Sequence, residues 1–119
     1  MGHIKIRLRI FSADHLQMKE LELLIDTGAA YTWISRNILN ELGIHPKGEK
    51  LFRMIDGITI IRDYGEALIE FQGETVTTIV VFAEHDDAQV VGVYALEGMG
   101  MEIDPIAERV KKAEVILAI

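Results

Sequence analysis

The sequence predicts an all-β, barrel-like domain with one or two short helices, and three observations lead to this fold class. Short apolar runs follow one another along the chain, and several alternate with polar residues as half-buried strands do. Turn-forming residues separate the runs at regular spacing. The 119 residues are enough for one hydrophobic core and too few for two, so we expect residues 1–119 to form a single domain.

The clearest strand is at residues 4–10, where apolar residues alternate with Lys5, Arg7 and Arg9. A polar turn over residues 11–19 separates it from the second strand. In chain order, the predicted strands cover residues 4–10, 21–25, 31–34, 51–55, 58–61, 66–72, 75–83 and 89–92, a stretch that begins at residue 101, and residues 115–119.

Two segments favour helix over strand. Ser35 has the N-cap position of a short helix that runs through Leu42. Residues 93–96 are expected to form one helical turn. Near the end of the chain, Asp104 and Pro105 are interpreted as a turn between two strands. The alternative is a helix with Asp104 as its N-cap and Pro105 in the first position.

The best short-range hairpin signal in the chain is Asp56-Gly57, which lies between two apolar runs. An Asp-Gly pair in this context favours a two-residue hairpin turn, in which the glycine has a positive φ. We therefore expect residues 54–59 to form the tip of a hairpin, with Gly57 in the left-handed region.

The composition excludes several classes of site. A formal net charge of −7 and scattered basic residues argue against a nucleic-acid groove. The absence of cysteine excludes disulfides, thiolate zinc sites and a cysteine nucleophile. Apolar runs such as residues 79–83 are too short to span a membrane, and the amino terminus has the pattern of a strand, not of a signal peptide. We expect a cytoplasmic protein that contacts no membrane.

Residues 84–87 contain three acidic side chains and one histidine. We interpret them as a solvated turn, because neighbours in sequence rarely converge on one ion without an ordered loop. A metal ion at this position is the alternative that the sequence leaves open. We expect no cofactor.

The most informative segment runs from Leu24 to Ala29. Asp26 follows the predicted strand 21–25 directly, so its carboxylate is held at the end of an apolar element. Gly28 has no Cβ and can direct its N–H at that carboxylate, and Thr27 offers a hydroxyl. The alternative is a turn in which Asp26 caps its own backbone.

The triplet Asp26-Thr27-Gly28, with its apolar prefix, resembles the active-site signature of the retropepsin-like aspartic proteases, the retroviral type of clan AA. In that family a flap hairpin follows about thirty residues later, where residues 54–59 lie here. A second signature of two apolar residues and a glycine precedes a short helix, and Val90-Val91-Gly92 matches it. The resemblance covers roughly residues 4 to 103.

The resemblance implies a small closed barrel, a C2 homodimer and an endopeptidase that acts on a peptide or protein substrate, with no nucleic-acid partner. Each protomer would contribute one catalytic Asp26, and two facing carboxylates share the roles of acid and base because both cannot ionise. Thr27 and Gly28 would support the active site. The residues that the resemblance assigns to substrate binding are Ala29, Ala30, Ile55, Asp56, Gly57, Ile58, Val90 and Val91.

Two positions depart from the retroviral pattern. Family members usually carry an acid at the position of Ala30 and an arginine at that of Val93, and these side chains pair. Losing both partners leaves no orphaned charge, but it removes polar contacts to the substrate. A second hypothesis is therefore a catalytically weak or inactive module that dimerises or binds peptide. A third is an unrelated small β-barrel in which Asp26 only forms a turn.

Overall fold

Strands dominate the computed structural model, which describes residues 4–116 and residue 118. The prediction of a mostly β fold with two short helices is confirmed. The elements are β1 (Lys5–Phe11), β2 (Met18–Ile25), β3 (Thr32–Ser35), α1 (Arg36–Glu41), β4 (Gly48–Arg53), β5 (Thr59–Phe71), β6 (Glu74–Ala83), β7 (Val90–Val91), α2 (Val93–Gly98), β8 (Met101–Asp104) and β9 (Arg109–Lys112).

Seven of these strands form one sheet in the order β1-β2-β7-β3-β6-β5-β4. β1 also pairs with β5, through Arg9 and Glu70. The first strand in this order therefore also pairs with the sixth. Two neighbouring pairs are parallel, β2 with β7 and β3 with β6. β8 and β9 form a separate antiparallel hairpin.

The alternation predicted for the first strand appears directly in its burial. Ile6, Leu8 and Ile10 are buried in the main core, and the charged residues between them are exposed. This alternation places one face of β1 against the core and leaves the other in solvent, which favours a single register with β2.

The first predicted helix is confirmed as α1. Its N-cap Ser35 accepts a hydrogen bond from the Asn37 N–H at 3.2 Å, and Leu39 and Leu42 are buried. Gly43 follows with φ +71°, the left-handed conformation that commonly ends a helix. In the part of the chain that the structure describes, no helix is long and apolar enough to cross a membrane.

The hairpin between β4 and β5 forms where it was predicted, and Gly57 has φ +88°. The predicted two-residue turn is wrong, because the loop has three residues. Met54 N–H donates to the Ile58 carbonyl at 2.8 Å, and Gly57 N–H donates back to Met54 at 2.9 Å. The Ile58 N–H, which a two-residue turn would pair across the hairpin, instead donates to Asp56 Oδ1 at 2.9 Å. Gly57 therefore lies at a bulge that follows the turn.

β5 is one continuous strand, although the sequence suggested separate strands at 58–61 and 66–72. The polar residues Arg62 and Asp63, which interrupt the apolar pattern, form ion pairs with Asp87 and Arg36. Because these partners are distant in sequence, the local pattern does not indicate that a strand can continue through the polar residues.

The strand predicted at residues 115–119 is not observed over its described part. Val115 and Ile116 are exposed and lie outside any strand, and residues 117 and 119 lie outside the described residues. Among the described residues the last strand is β9, which pairs with β8 in a hairpin.

The turn at Pro105 is confirmed, and the alternative helix is not observed. Asp104 Oδ1 accepts hydrogen bonds from the N–H groups of Ile106 and Ala107, both at 3.1 Å, as an N-cap residue would. Glu108 then adopts φ +50°, so the chain reverses into β9 before a helix can propagate.

Candidate active site

Asp26 is the first residue after β2 and lies beside β7. Its backbone N–H donates to the Val91 carbonyl at 3.0 Å, directly after the parallel pair of Ile25 with Val91. Two parallel strands therefore fix the backbone from which the carboxylate projects. The apolar run at residues 21–25 predicts this placement of Asp26 at the end of a strand.

The Asp26 carboxylate is oriented by its own turn. Gly28 N–H donates to Asp26 Oδ1 at 2.9 Å, and Ala29 N–H donates to the Asp26 carbonyl at 3.0 Å. A Cβ on Gly28 would lie 3.1 Å from the same oxygen, which is tighter than ordinary contact. Asp26, Thr27 and Gly28 are all exposed, so the oriented carboxylate faces solvent.

The second glycine segment packs against the first. Gly92 N–H donates to the buried Thr32 hydroxyl at 3.1 Å. A Cβ on Gly92 would lie only 2.4 Å from the Tyr31 carbonyl oxygen, so no other residue fits without moving the backbone. Thr32 was not identified as a site residue from the sequence. Its one signal was a polar residue inside a run of bulky apolar and aromatic ones.

Backbone hydrogen bonds join Ala29 and Ala30, which follow the Asp26 triplet, to the start of α2. Val93 N–H donates to the Ala29 carbonyl at 2.9 Å, and Tyr94 N–H donates to the Ala30 carbonyl at 3.2 Å. The rings of Tyr31 and Tyr94 also contact each other, with centroids 5.7 Å apart. The family resemblance implies an acid–arginine pair at the positions of Ala30 and Val93, and these contacts join the same two segments.

Phe52 links β4 to the same region. Its ring lies 5.1 Å from the Trp33 ring and 6.1 Å from the Tyr31 ring, both edge-on. Trp33 is buried and serves packing, whereas Tyr31 is half-buried. The Phe52 ring therefore packs β4 onto Trp33 and Tyr31, which follow the segment that carries Asp26.

The predicted substrate-binding residues differ in exposure. Ile55 is fully exposed and Ile58 is 60 % exposed at the hairpin tip, together with Asp56 and Gly57. Such apolar side chains in solvent are suited to covering a ligand or partner. The other predicted contacts are half-buried Ala29, exposed Ala30, and the buried residues Val90 and Val91.

Val91 does not suit its predicted role. Its side chain is 0 % exposed and belongs to the main core, so it cannot touch a substrate without rearrangement. Val90 is 9 % exposed and packs in a second cluster with Ala29 and Tyr31. Of these two valines, Val90 is therefore the one that borders the site.

The acidic loop at residues 84–87 forms ion pairs with two arginines. Arg36 donates to Glu84 at 2.7 Å and to Asp63 at 2.6 Å, and the guanidinium of Arg62 donates to both oxygens of Asp87. These hydrogen bonds from Arg62 hold the pKa of Asp87 below its ordinary value.

The sequence-based interpretation of this loop as a solvated turn holds for His85 and Asp86, which are exposed, but it missed the arginine pairs. Glu84 and Asp87 face the guanidinium groups of Arg36 and Arg62 instead of a shared ion position. Within residues 4–116 and 118, no group of three or more His, Asp or Glu side chains is arranged to hold a metal ion.

Comparisons with known proteins support the fold. No family model matches the sequence, and no curated protein matches it. Among solved structures, the chain is similar to the solution structure of Simian Foamy Virus (mac) protease, with a TM-score of 0.50 and 18 % identity. The match covers 77 % of this chain and 90 % of that protease. At this identity the similarity concerns the fold, which resembles that of a retroviral protease.

Proposed function

We propose that the chain is one protomer of a homodimeric aspartic endopeptidase in which each protomer contributes Asp26. The observation that carries this proposal is the geometry of the Asp26 carboxylate. It is solvent-exposed, yet Gly28 N–H orients it at 2.9 Å and two parallel strands anchor its backbone. A side chain held this way is pre-positioned for chemistry. The fold similarity to a viral protease supports the same function.

The proposal requires two protomers. Each chain has a single Asp-Thr-Gly triplet, and peptide hydrolysis by activated water needs one base and one acid. A C2 axis that passes between two Asp26 residues would supply both. The exposed Thr27 is available to brace the two turns against each other. Within each protomer, the pairing of β1 with β5 would close the sheet as a small barrel.

The chemistry then follows from two carboxylates that share one proton. The ionised Asp26 takes a proton from water as the water oxygen attacks the scissile carbonyl carbon. The protonated Asp26 gives its proton to the carbonyl oxygen, which yields a tetrahedral diol. Proton transfer to the amide nitrogen and cleavage of the C–N bond release a carboxylic acid and an amine. No covalent enzyme intermediate forms.

The flap and the cleft would bind the substrate. Ile55 and Ile58 would close over an extended peptide and exclude water, while the bulge at Gly57 lets the tip bend. On the floor of the cleft, Ala29, Ala30 and the exposed part of Val90 would lie beside the carboxylate. These apolar surfaces favour apolar substrate side chains beside the scissile bond.

The test is digestion of unfolded polypeptides by wild type and Asp26→Asn across pH 3 to 8, with products identified by mass spectrometry. Asn has nearly the same shape as Asp, so the variant should fold, dimerise and fail to cleave. Asp86→Asn, the same change at an exposed loop position, is the matched control and should cleave like wild type.

For the wild type we expect the highest rate on the acid side of neutrality, at roughly pH 4 to 6, because one carboxylate must stay protonated. Cleavage that survives in Asp26→Asn would contradict the proposal. So would a protein that sedimentation shows to be a strict monomer at micromolar concentration.

A second candidate function is a peptide-binding or dimerisation module with little activity. The observation in its favour is that backbone bonds from Val93 and Tyr94, not an acid–arginine pair, hold the loop at Ala29 and Ala30. This arrangement is stable but offers fewer charged contacts to a substrate. A dimer that binds peptides and leaves them intact at every pH would favour this candidate.

A further inference from the structure

A groove of about 460 Å³, whose lining does not include Asp26, lies between the start of β1 and the β8–β9 hairpin. It is lined by residues 4–7 around the start of β1, by Phe71 at the end of β5 with Gln72 after it, and by residues 108–112. Side chains alternate between the two faces of a strand, so a run of consecutive residues lines a groove only when the edge of the strand faces it. Two strand edges therefore border this groove.

The first edge belongs to β1. Ile25 N–H donates to the Ile4 carbonyl at 2.8 Å, so even-numbered residues of β1 direct their backbone groups toward β2. Lys5 and Arg7 then direct theirs to the opposite side. β5 pairs with β1 only at Arg9 and Ile10, and it ends at Phe71. Among the described residues, no strand pairs with β1 beside Lys5 and Arg7 on that side.

The second edge belongs to β9. Ala113 N–H donates to the Gly100 carbonyl at 2.8 Å, so odd-numbered residues of β9 direct their backbone groups toward β8. Val110 and Lys112 direct theirs the other way. The described part of the chain pairs no strand with β9 on that side. Unpaired edges of this kind are templates for an added strand.

We propose that this groove binds an extended acidic peptide segment of a partner protein, which adds a strand to the edge of β1 where β5 has ended. The open edge at residues 4–7 would accommodate about four residues of the peptide, at about 3.3 Å each. Main-chain hydrogen bonds to Lys5 and Arg7 would provide affinity, as in other cases of strand addition.

The charge of the groove selects an acidic occupant. Although the chain has a net charge of −7, the groove is lined by five basic residues and only one acidic residue, Glu108. The basic residues are Lys5, Arg7, Arg109, Lys111 and Lys112. Four of them have a carboxylate outside the groove at 3.5–3.9 Å, but these pairs are solvent-exposed and therefore weak. An acidic peptide can thus compete for them.

Two other occupants fit less well. Single-stranded nucleic acid is usually bound by stacking on aromatic rings, and the groove offers only the half-buried Phe71. Ile116, near the end of the described residues, does not line the groove, because its side chain lies next to Gly100, just before β8. An acidic extended peptide can bond both the open edge of β1 and the five basic side chains, so it fits the groove better than either of these occupants.

The first experiment measures fluorescence anisotropy of a labelled peptide in which Glu alternates with Val or Thr. Asp26→Asn serves as the background, so that cleavage cannot interfere and the outcome does not depend on the proposed enzymatic function. We expect Arg7→Glu with Lys112→Glu to weaken binding at least about tenfold. The matched control, Lys19→Glu with Lys47→Glu, has the same net charge and lies outside the groove, so it should change binding less than about twofold.

The second experiment tests strand addition itself. N-methylation of every other peptide residue removes the N–H groups on one side of the peptide strand, and methylation of the intervening residues removes those on the other. If either series, or both, weakens binding at least about tenfold, the peptide adds as a strand. The proposal is overturned if neither series matters or if the two double variants bind alike. It is also overturned if labelled oligothymidylate binds the groove more tightly than the peptide.

Discussion

The backbone N–H of Gly28 donates to Oδ1 of Asp26 at 2.9 Å, and a Cβ on Gly28 would lie 3.1 Å from that same oxygen. Gly28 therefore orients the carboxylate through its N–H, and a larger residue at position 28 would crowd the same oxygen. The contact couples a local turn to the orientation of the only Asp-Thr-Gly carboxylate in the chain.

Gly28→Ala should impair catalysis more than folding. The added methyl group pushes the Asp26 carboxylate out of line, whereas position 28 is exposed and contributes little to the core. We expect at least about a tenfold loss in kcat, because small misplacements of a catalytic group are costly. Peptidase kinetics and thermal unfolding on the same preparation provide the check. A loss of stability with unchanged kcat would show that Gly28 only supports the fold.

Gly92→Ala should destabilise the protein severely. Its methyl group would lie 2.4 Å from the Tyr31 carbonyl oxygen and 2.8 Å from that of Ala30, and backbone atoms cannot move aside cheaply. We expect a loss of about 3 kcal/mol or more in the free energy of unfolding, measured by urea titration.

Gly98→Ala is the matched control for that substitution. Its methyl group would meet Val76 Cγ2 at 2.6 Å, which is a side-chain atom of a half-buried residue and not a backbone atom. The cost should therefore be smaller than at Gly92. Equal destabilisation by the two substitutions would contradict the importance of the close approach of Gly92 to the backbone of Ala30 and Tyr31.

Gly57→Val should slow turnover far more than it lowers the melting temperature. Gly57 has φ +88°, which a β-branched residue adopts poorly, yet a Cβ there would have no neighbour within 4 Å. The strain is therefore confined to the hairpin tip. Gly57→Asn is the control, because Asn tolerates this backbone conformation and should retain most activity. Similar kinetics for Val and Asn would mean that the hairpin does not act as a flap.

Asp87→Asn should reduce stability in a pH-dependent way. Hydrogen bonds from Arg62 keep the pKa of Asp87 below its ordinary value, so the ionised carboxylate stabilises the folded state. This contribution is complete above the unfolded pKa of about 3.9 and is lost as pH falls through the lower folded value. We expect the variant to be about 1–3 kcal/mol less stable at pH 7.

The difference in unfolding free energy between wild type and Asp87→Asn should shrink as the pH falls below about 4. The pKa values of Asp14 and Asp104 are also lowered, by hydrogen bonds from Ser12 and Ala107 respectively, but these groups are present in both proteins and cancel in the comparison. Urea titrations from pH 7 to pH 2.5 measure the effect. A difference that does not vary with pH would exclude the ion pair as its source.

Local patterns determined what depends on residues close together in the chain. The alternation of residues 4–10 predicted β1 because side chains of a strand alternate faces wherever the strand lies. Ser35 predicted the start of α1, since a cap bonds a backbone N–H only two or three residues away. Asp26, Thr27 and Gly28 formed a candidate site for the same reason, because the hydrogen bond between Gly28 and the Asp26 carboxylate closes within the triplet.

Only the tertiary structure decided features whose partners are distant in sequence. Arg62 and Asp63 sit inside a continuous β5 because Asp87 and Arg36 pair with them. Thr32 supports the candidate site because Gly92, sixty residues later, donates to its buried hydroxyl. Within the described residues, β1 and β9 leave strand edges without a partner, and the basic groove lies between them. Contacts of this kind depend on how strands pair across the sheet, and no periodicity within a single segment encodes that pairing.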